Sequence, residues 1–379
     1  VKESTGFAAQ DVRTAALAAG VARGGADALA SHSASLAEGE WLRDAWYVAC
    51  TSDELRERPI ARTVLGIPIT LFRERGGRAV ALLDRCPHRN APLSIGAVRG
   101  DRLECAYHGW QFDAQGICRL VPGLCGEHEG KARRVATYAV VEQDGFVWVF
   151  GAPNAEPAAP PYRMTDTSGP GYTNVHRTVS VNGGLFETIE NALDVTHTAY
   201  VHRGLIRGGR APIEITAVVS RTSSGVEAEY IGEPSPPGLA VRILAPAGGV
   251  VRHIDRFLLP CIAQVDYWLG DANHFRVTSF CTPVDRENTT IFATISLRLR
   301  IPARIVLPLL SPIAWRIFHQ DARILKLQTE TMRRFGRESF VSTDIDVLGT
   351  EIKRLLKYGA HSPESEERGA SRREVRLSI

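Results

Sequence analysis

From Trp41 onward, short runs of alternating apolar and polar residues are broken at regular intervals by turn residues. Arg62 to Phe72, Ala79 to Asp84, Arg102 to Ala106 and Gly145 to Phe150 read as strands, with Gly76-Gly77, Asp113 to Gly116 and Asp144-Gly145 as turns. Many short strands of this kind predict an all-β unit of sandwich or barrel type. A second series of strands follows a Pro/Ala-rich connector: Asn174 to Val181, Ile213 to Val219, Gly225 to Tyr230, Val250 to Leu258, Ala263 to Leu269, Phe275 to Thr282 and Thr290 to Arg298. Successive strands of this pattern predict one antiparallel sheet. The period then changes. Ile313 to Phe335 repeats at helical spacing, and Ser342 to Tyr358 reads as a second helix with Ser342 or Thr343 as N-cap and Asp344 and Asp346 in its first turn. The class is α+β, an all-β domain followed by a helix-flanked antiparallel sheet.

The divisions fall where composition shifts. Residues 1–39 are rich in Ala, Gly and Ser and are expected to form a flexible extension; 40–150 hold the first domain, 151–171 the connector and 172–358 the second domain. The tail 359–379 reads as disordered. A chain of 379 residues can bury a large core, and its net charge of +3 gives no sign of a nucleic-acid partner. Seven cysteines at uneven spacing are not disulfide density and point to metal ligation or buried thiols in a reducing compartment. The most apolar run, Ile305 to Ile313, is cut by Pro308 and Pro312 and is too short to span a bilayer. No transmembrane segment or secretory pattern is evident, so a soluble cytoplasmic protein is the default.

Two matched loops lie in the first domain: Cys86-Pro-His88 followed by Arg89 and Asn90, and Cys105-Ala-Tyr-His108 followed by Gly109 and Trp110. Each offers one thiolate and one imidazole, whereas a zinc finger pairs Cys with Cys and His with His. One of each per loop suits a two-iron cluster with both Cys on one iron and both His on the other, the Rieske [2Fe–2S] arrangement. Gly96, Gly109 and Gly116 fit the tight turns such loops need. Structural zinc is the plainer alternative. For Cys50, Cys118, Cys125, Cys261 and Cys281 the expectation is a buried thiol.

In the second domain, Glu190 to His202 reads E-N-A-L-D-V-T-H-T-A-Y-V-H. In a helix Asp194 and His197 would lie one turn apart, but the step of five to His202 converges with His197 only if the helix loosens or ends near Tyr200. Two imidazoles and a carboxylate from elsewhere make the facial triad that holds non-haem Fe(II). An amphipathic helix with two surface histidines explains this segment alone equally well. For His176, His253 and His274, surface or satisfied core positions are the expectation.

C-P-H-R-N-A-P-L-S and C-A-Y-H-G-W-Q-F-D-A-Q-G resemble the Rieske domain of the Rieske-type non-haem iron oxygenases, and E-N-A-L-D-V-T-H-T-A-Y-V-H resembles their catalytic iron motif. Order and separation match, so the resemblance covers Trp41 to Tyr358. It implies Cys86, His88, Cys105 and His108 on the cluster and His197 and His202 on a mononuclear iron. I-F-H-Q-D-A-R-I-L-K-L-Q resembles the late helix that supplies the carboxylate, which matches Asp321; His319 and Glu330 compete on spacing alone. Asp194 is expected to orient an iron-bound imidazole through its outer nitrogen. In the family this residue also bridges to a Rieske histidine of the neighbouring subunit, which implies a head-to-tail homotrimer with His108 as the bridging partner.

No Gly-rich dinucleotide fingerprint is present, so NAD(P)H is expected to act only through a separate reductase, with or without a ferredoxin. Arg89, Arg99, Arg102 and Arg119 are candidates for a basic face toward an acidic donor. The W-Y-V-A, R-C-P-H-R and Q-D-A-R-I-L features resemble the branch that hydroxylates or oxidatively demethylates, including oxidation of sterol- and chlorophyll-derived rings. The implied function is a terminal oxygenase that uses O2 on a hydrophobic small molecule, polycyclic ones included. The alternative is a Rieske electron-transfer protein whose C-terminal half only binds a ligand or partner. It would have no use for Asp194, His197, His202 and Asp321 together.

Overall fold

The computed structural model describes residues 41–207, 213–222, 224–235, 238–239, 251–270, 273–300, 302–336, 339–359 and 372–378. The first domain holds eleven short strands: β1 (Trp46–Thr51), β2 (Ile60–Val64), β3 (Ile67–Arg73), β4 (Ala79–Leu83), β5 (Ala97–Arg99), β6 (Arg102–Glu104), β7 (Gln111–Phe112), β8 (Cys118–Leu120), β9 (Thr137–Tyr138), β10 (Val140–Gln143) and β11 (Phe146–Phe150). They form three antiparallel sheets, ordered β1-β11-β10, β2-β3-β4-β9 and β5-β6-β7-β8. β11 is apolar at every position because both of its faces are covered. Val147 and Val149 face Leu65, Ile69 and Leu71, while Phe146, Trp148 and Phe150 pack toward Ile262, Phe280 and Phe292 of the second domain. The β5–β8 sheet carries both Cys/His loops over a small core of Phe72, Leu82, Leu93, Leu103 and Phe112.

The second domain contains β12 (Thr173–Val181), α1 (Leu185–Leu193), β13 (Glu214–Arg221), β14 (Gly225–Ile231), β15 (Val251–Leu258), β16 (Ile262–Leu269), β17 (Asn273–Pro283), β18 (Thr289–Arg298), α2 (Ala303–Phe335), α3 (Gly349–Tyr358) and β19 (Arg372–Ser378). Its eight strands form one antiparallel sheet in the order β12-β18-β17-β16-β15-β14-β13-β19. The two-residue strand period assigns the faces. Ala263, Val265, Tyr267 and Leu269 of β16, with Phe275, Val277 and Ser279 of β17, share a cavity with residues of α2. Their alternates face the first domain and the connector, which is tied down by Trp46 Nε1 donating to the Ala159 carbonyl (2.7 Å) and Gln264 Nε2 to the Tyr162 hydroxyl (2.9 Å).

Four expectations need correction. The single strand read over Arg62 to Phe72 is a hairpin of β2 and β3, turned at Leu65 and Gly66 with φ of 54° and 74°. α2 begins at Ala303, ahead of Pro308 and Pro312, rather than at Ile313. Both prolines are exposed, so water can serve the carbonyls that they leave without a helical donor. α3 starts at Gly349, not Ser342. Thr343 and Asp346 instead close a turn on each other, through the Asp346 amide to the Thr343 carbonyl (3.1 Å) and the Thr343 amide to Asp346 Oδ2 (2.6 Å). The tail read as disordered holds β19, because Val375 and Leu377 alternate into the core behind a charged outer face and β13 offers an edge. The expected extension 1–39, and 360–371 of the tail, lie outside the described residues. Among the described residues no helix is long and apolar enough to cross a membrane.

Candidate active site and metal centres

The two Cys/His loops have the same backbone scheme. The Cys86 amide donates to the Ala91 carbonyl (2.8 Å) and the Asn90 amide to the Cys86 carbonyl (2.9 Å). In the second loop the Cys105 amide donates to Trp110 (2.8 Å) and the Gly109 amide to Cys105 (3.0 Å). The fourth residue after each Cys is left-handed, Asn90 at φ 60° and Gly109 at φ 69°. A Cβ at Gly109 would also meet the Pro122 ring at 3.0 Å. At Gly96 a Cβ would lie 2.0 Å from the Glu104 carbonyl oxygen, so the flanking chains can approach only there without a side chain.

This scheme turns Cys86 and Cys105 inward, buried beside each other, and holds His88 and His108 with ring centroids 4.5 Å apart. His88 is braced by a parallel stack on Trp110 (4.7 Å). Burial, with Cys105 adjacent, pushes the Cys86 thiol up to about 11. His88 Nδ1 is buried with no hydrogen-bond partner among the described residues. The orphaned imidazole nitrogen is costly as it stands, and with the two adjacent thiols and His108 it makes a donor set that fits a two-iron cluster. His108 and Tyr107 are exposed at the tip of the domain.

In the second domain α1 stops at Asp194, whose backbone is extended. Asp194 Oδ1 accepts from the Thr196 amide (2.8 Å) and hydroxyl (2.7 Å), and Oδ2 from the His197 amide (3.2 Å). These bonds close an Asx-type turn that leads into a separate short 3-10 turn, Thr196–Ala199. The α-helix thus gives way to a 3-10 turn that ends at Tyr200, as the spacing requires, and the end of that turn lets the two histidines converge. His197 Nε2 and His202 Nε2 are 3.2 Å apart, and Asp321 Oδ1, projecting from α2, lies 3.5 and 3.0 Å from them. Three donor atoms about 2.1 Å from one ion, on one octahedral face, stand roughly 3 Å apart. The triad fits such an ion.

Ring tautomers support the fit. His202 Nδ1 lies 2.9 Å from Gln320 Oε1, a carbonyl that only accepts, so the proton sits on Nδ1 and the Nε2 lone pair faces the triad. Asp321 Oδ1 has no hydrogen-bond donor among the described residues. Burial lowers the His197 pKa, yet the Asp194 and Asp321 carboxylates raise it overall to about 9, the signature of a site that favours positive charge. The competitors lie elsewhere: His319 is exposed with Nδ1 2.9 Å from the Trp315 carbonyl, and Glu330 faces Lys326 at 3.9 Å. Asp194 Oδ2 is 3.6 Å from His197 Nδ1, beyond a hydrogen bond, and its bonds run to the turn instead. Sequence reasoning missed Gln320. Its adjacency to Asp321 was the only signal.

The triad opens on a cavity of about 240 Å3 walled by Val179, Val265, Leu269, Phe275, Leu310 and Phe318 among other apolar residues. Leu307, Leu310 and Ile313 bring the apolar run of the sequence to its wall. Charged and polar groups also line it, including Arg207, His253, Asp255 and Tyr267. Asp194 lines both this cavity and a larger outer groove of about 1240 Å3 between α1, α2 and residues 339–358. His253 and His274 are satisfied core histidines, and His176 Nδ1 sits 3.0 Å from the Thr294 hydroxyl. Cys125 is exposed, correcting the expectation of a buried thiol; it lies on an irregular loop after β8. Of the four candidate basic-face arginines, Arg99 pairs with Glu104 and Arg119 with Asp113 and Glu129.

A Cys/His-loop domain joined to a sheet domain with a two-His, one-carboxylate triad has the build of an iron oxygenase with its own electron store. Comparison with known proteins agrees. Residues 45–139 match the Rieske [2Fe-2S] domain and 187–361 the vanillate O-demethylase oxygenase C-terminal domain. The chain is 37% identical over 166 residues to the oxygenase component of dicamba O-demethylase from Stenotrophomonas maltophilia, a match covering 43% of this chain and about half (48%) of that protein. It is 26% identical over 343 residues to the vanillate O-demethylase oxygenase subunit of a Pseudomonas species, covering 83% of this chain and 93% of that one. The crystal structure of dicamba monooxygenase bound to dicamba superposes with a TM-score of 0.71 at 25% identity, covering 84% of this chain and 97% of that chain. The chain belongs to the Rieske-type non-haem iron oxygenases, in the branch of the vanillate and dicamba O-demethylase oxygenase components.

Proposed function

We propose that this chain is a terminal oxygenase that uses O2 and externally supplied electrons to hydroxylate or oxidatively demethylate a hydrophobic, ring-containing substrate. The observation that carries the reading is the convergence of His197, His202 and Asp321 on a mainly apolar cavity. Cys86, His88, Cys105 and His108 would hold the [2Fe–2S] cluster, and the triad the mononuclear iron. When bound, the cluster supplies electrons singly and the iron supplies the activation of dioxygen.

The remaining work falls to the chain. Gln320 keeps the His202 proton on Nδ1 and so frees Nε2 for the metal. Arg207 donates to the Val195 carbonyl (3.1 Å) and the Thr198 hydroxyl (2.7 Å), pinning the turn that carries His197. The apolar walls exclude water and orient the substrate by shape. Domain limits of 40–150 and 172–358 follow the same division of labour.

Electron delivery is read as crossing between subunits of a head-to-tail homotrimer. Two features support this: His108 is exposed at the tip of its domain, and Asp194 fronts the outer groove as well as the cavity. Asp194 would then link His108 of the partner subunit to the triad. A separate reductase, directly or through a ferredoxin, would supply the electrons from NAD(P)H, and the use of unpaired thiols suits a cytoplasmic setting.

The test is an anaerobic purification with iron, zinc and acid-labile sulfide counted per chain. About three irons and two sulfides without zinc are expected. Zinc without sulfide would sink the reading, and two irons that stay at two after Fe(II) is added back would indicate an electron carrier.

A further inference from the structure

One end of the cavity is built from buried charge. His253, 1% exposed, places Nδ1 2.7 Å from Glu233 Oε2 and Nε2 2.9 Å from Asp255 Oδ1. Both nitrogens can donate to carboxylates only in the imidazolium form. The other oxygen of Glu233 accepts from Arg207 Nη2, which also reaches the Tyr267 hydroxyl (3.2 Å). Arg207, His253, Glu233 and Asp255 thus carry two positive and two negative charges, a neutral quartet with no net charge left to balance an ionic ligand.

One valence in the quartet stays open. Asp255 is 2% exposed and lines the cavity, yet its Oδ2 accepts no hydrogen bond from the described residues. Strand alternation aims it inward with His253, on the face of the sheet that carries Ala263, Val265 and Tyr267. Tyr267 already accepts from Arg207, so its own hydroxyl proton is left to donate. The pole therefore offers an acceptor and a donor inside otherwise apolar walls. An acceptor open only to a mainly apolar cavity is selective for a ligand group that can donate to it.

We propose that Asp255 is the polar anchor of the substrate cavity, and that the substrate is an apolar ring system carrying a neutral hydroxyl at that end. The inference rests on the oxygenase reading and narrows it. A carboxylate or sulfonate at this pole would face Asp255 Oδ2, and an ammonium would leave the quartet with an uncompensated charge. An acid would have to use Arg177 instead, an exposed cavity-lining residue on the edge strand β12 that makes no ion pair among the described residues.

The experiment is calorimetric titration of the anaerobic, metal-loaded enzyme, without reductase, with 2-naphthol, 2-methoxynaphthalene and 2-naphthoate. The naphthol is expected to bind about ten-fold or more tighter than its methyl ether, the value of one hydrogen bond to a buried charged acceptor. In Asp255→Leu that ratio should fall to within about two-fold, and Asp255→Asn, which keeps an acceptor, should restore part of it. If Asp255→Leu does not fold, His253→Leu/Asp255→Leu removes the pair together and reads the same ratio. The proposal is overturned by equal binding of naphthol and ether, by a preference that survives in Asp255→Leu, by naphthoate binding tightest, or by no binding of any probe up to about 1 mM. Iron content of the same preparations tests the oxygenase reading separately, since the binding ratio needs no turnover.

Discussion

Gln320 Oε1 holds the Nδ1 proton of His202 at 2.9 Å, and this single bond decides which imidazole nitrogen faces Asp321. Gln320→Leu removes the acceptor and frees the ring to flip or to change tautomer. Iron retention at the triad is expected to weaken by about 10- to 100-fold, the usual cost of losing a partner of a metal-binding histidine. Chelator titration against mononuclear iron content measures it. The visible spectrum of the cluster should not change.

Asp194→Asn keeps an acceptor for the Thr196 amide but removes the negative charge between the cavity and the outer groove. Both iron sites should load normally while coupled turnover falls by about a hundred-fold or more, through loss of orientation and charge rather than of metal. Near-normal coupled activity in this variant would remove Asp194 from the electron path.

Arg207→Met strips one of the two cations paired with the buried Glu233, leaving the quartet with a net negative charge, and should destabilise the protein by about 3–5 kcal/mol. Arg207→Met/Glu233→Leu should recover much of that in denaturant titrations, because the pair leaves together. The double variant should still lose iron faster than the parent, since the ties to Val195 and Thr198 stay absent.

Glu190 titrates in the physiological range. Burial, then the carboxylates of Asp346, Asp194 and Glu187, raise its pKa from 4.5 to about 7. Between those two values the folded chain keeps a proton that the unfolded chain releases, so the stability present below pH 4.5 is lost as pH rises through 7. Glu190→Gln should therefore raise the apparent Tm at pH 8 by a few degrees and leave it nearly unchanged at pH 5. A Tm gain of equal size at both values would remove ionisation as the cause.

Much of this was legible in the chain. The seven strands expected between Asn174 and Arg298 all appear, because a sheet whose two faces meet different surroundings prints its period of two directly into the sequence. Both Cys/His loops were legible because each is local: the amide of the residue four places on bonds the cysteine carbonyl, and the left-handed position falls on Asn90 and Gly109. β19 was not, since only Val375 and Leu377 are buried and their meaning depends on an edge offered by β13.

The sequence by itself determined the donor types, their order along the chain and the alternation that puts Val265, Tyr267 and Phe275 on one face of the sheet. Tertiary structure decided which distant groups meet. Asp321 rather than His319 or Glu330 points at His197 and His202, since the packing of α2 against the sheet fixes which side of the helix turns inward. The end of the 3-10 turn at Tyr200 brings the two imidazoles together across a spacing that a continuous helix would keep apart. His253 and Asp255 share a face by strand alternation, but Arg207 and Glu233 join them with no mutual pattern in the chain. Buried charges must be paired, and only the folded sheet determines with whom.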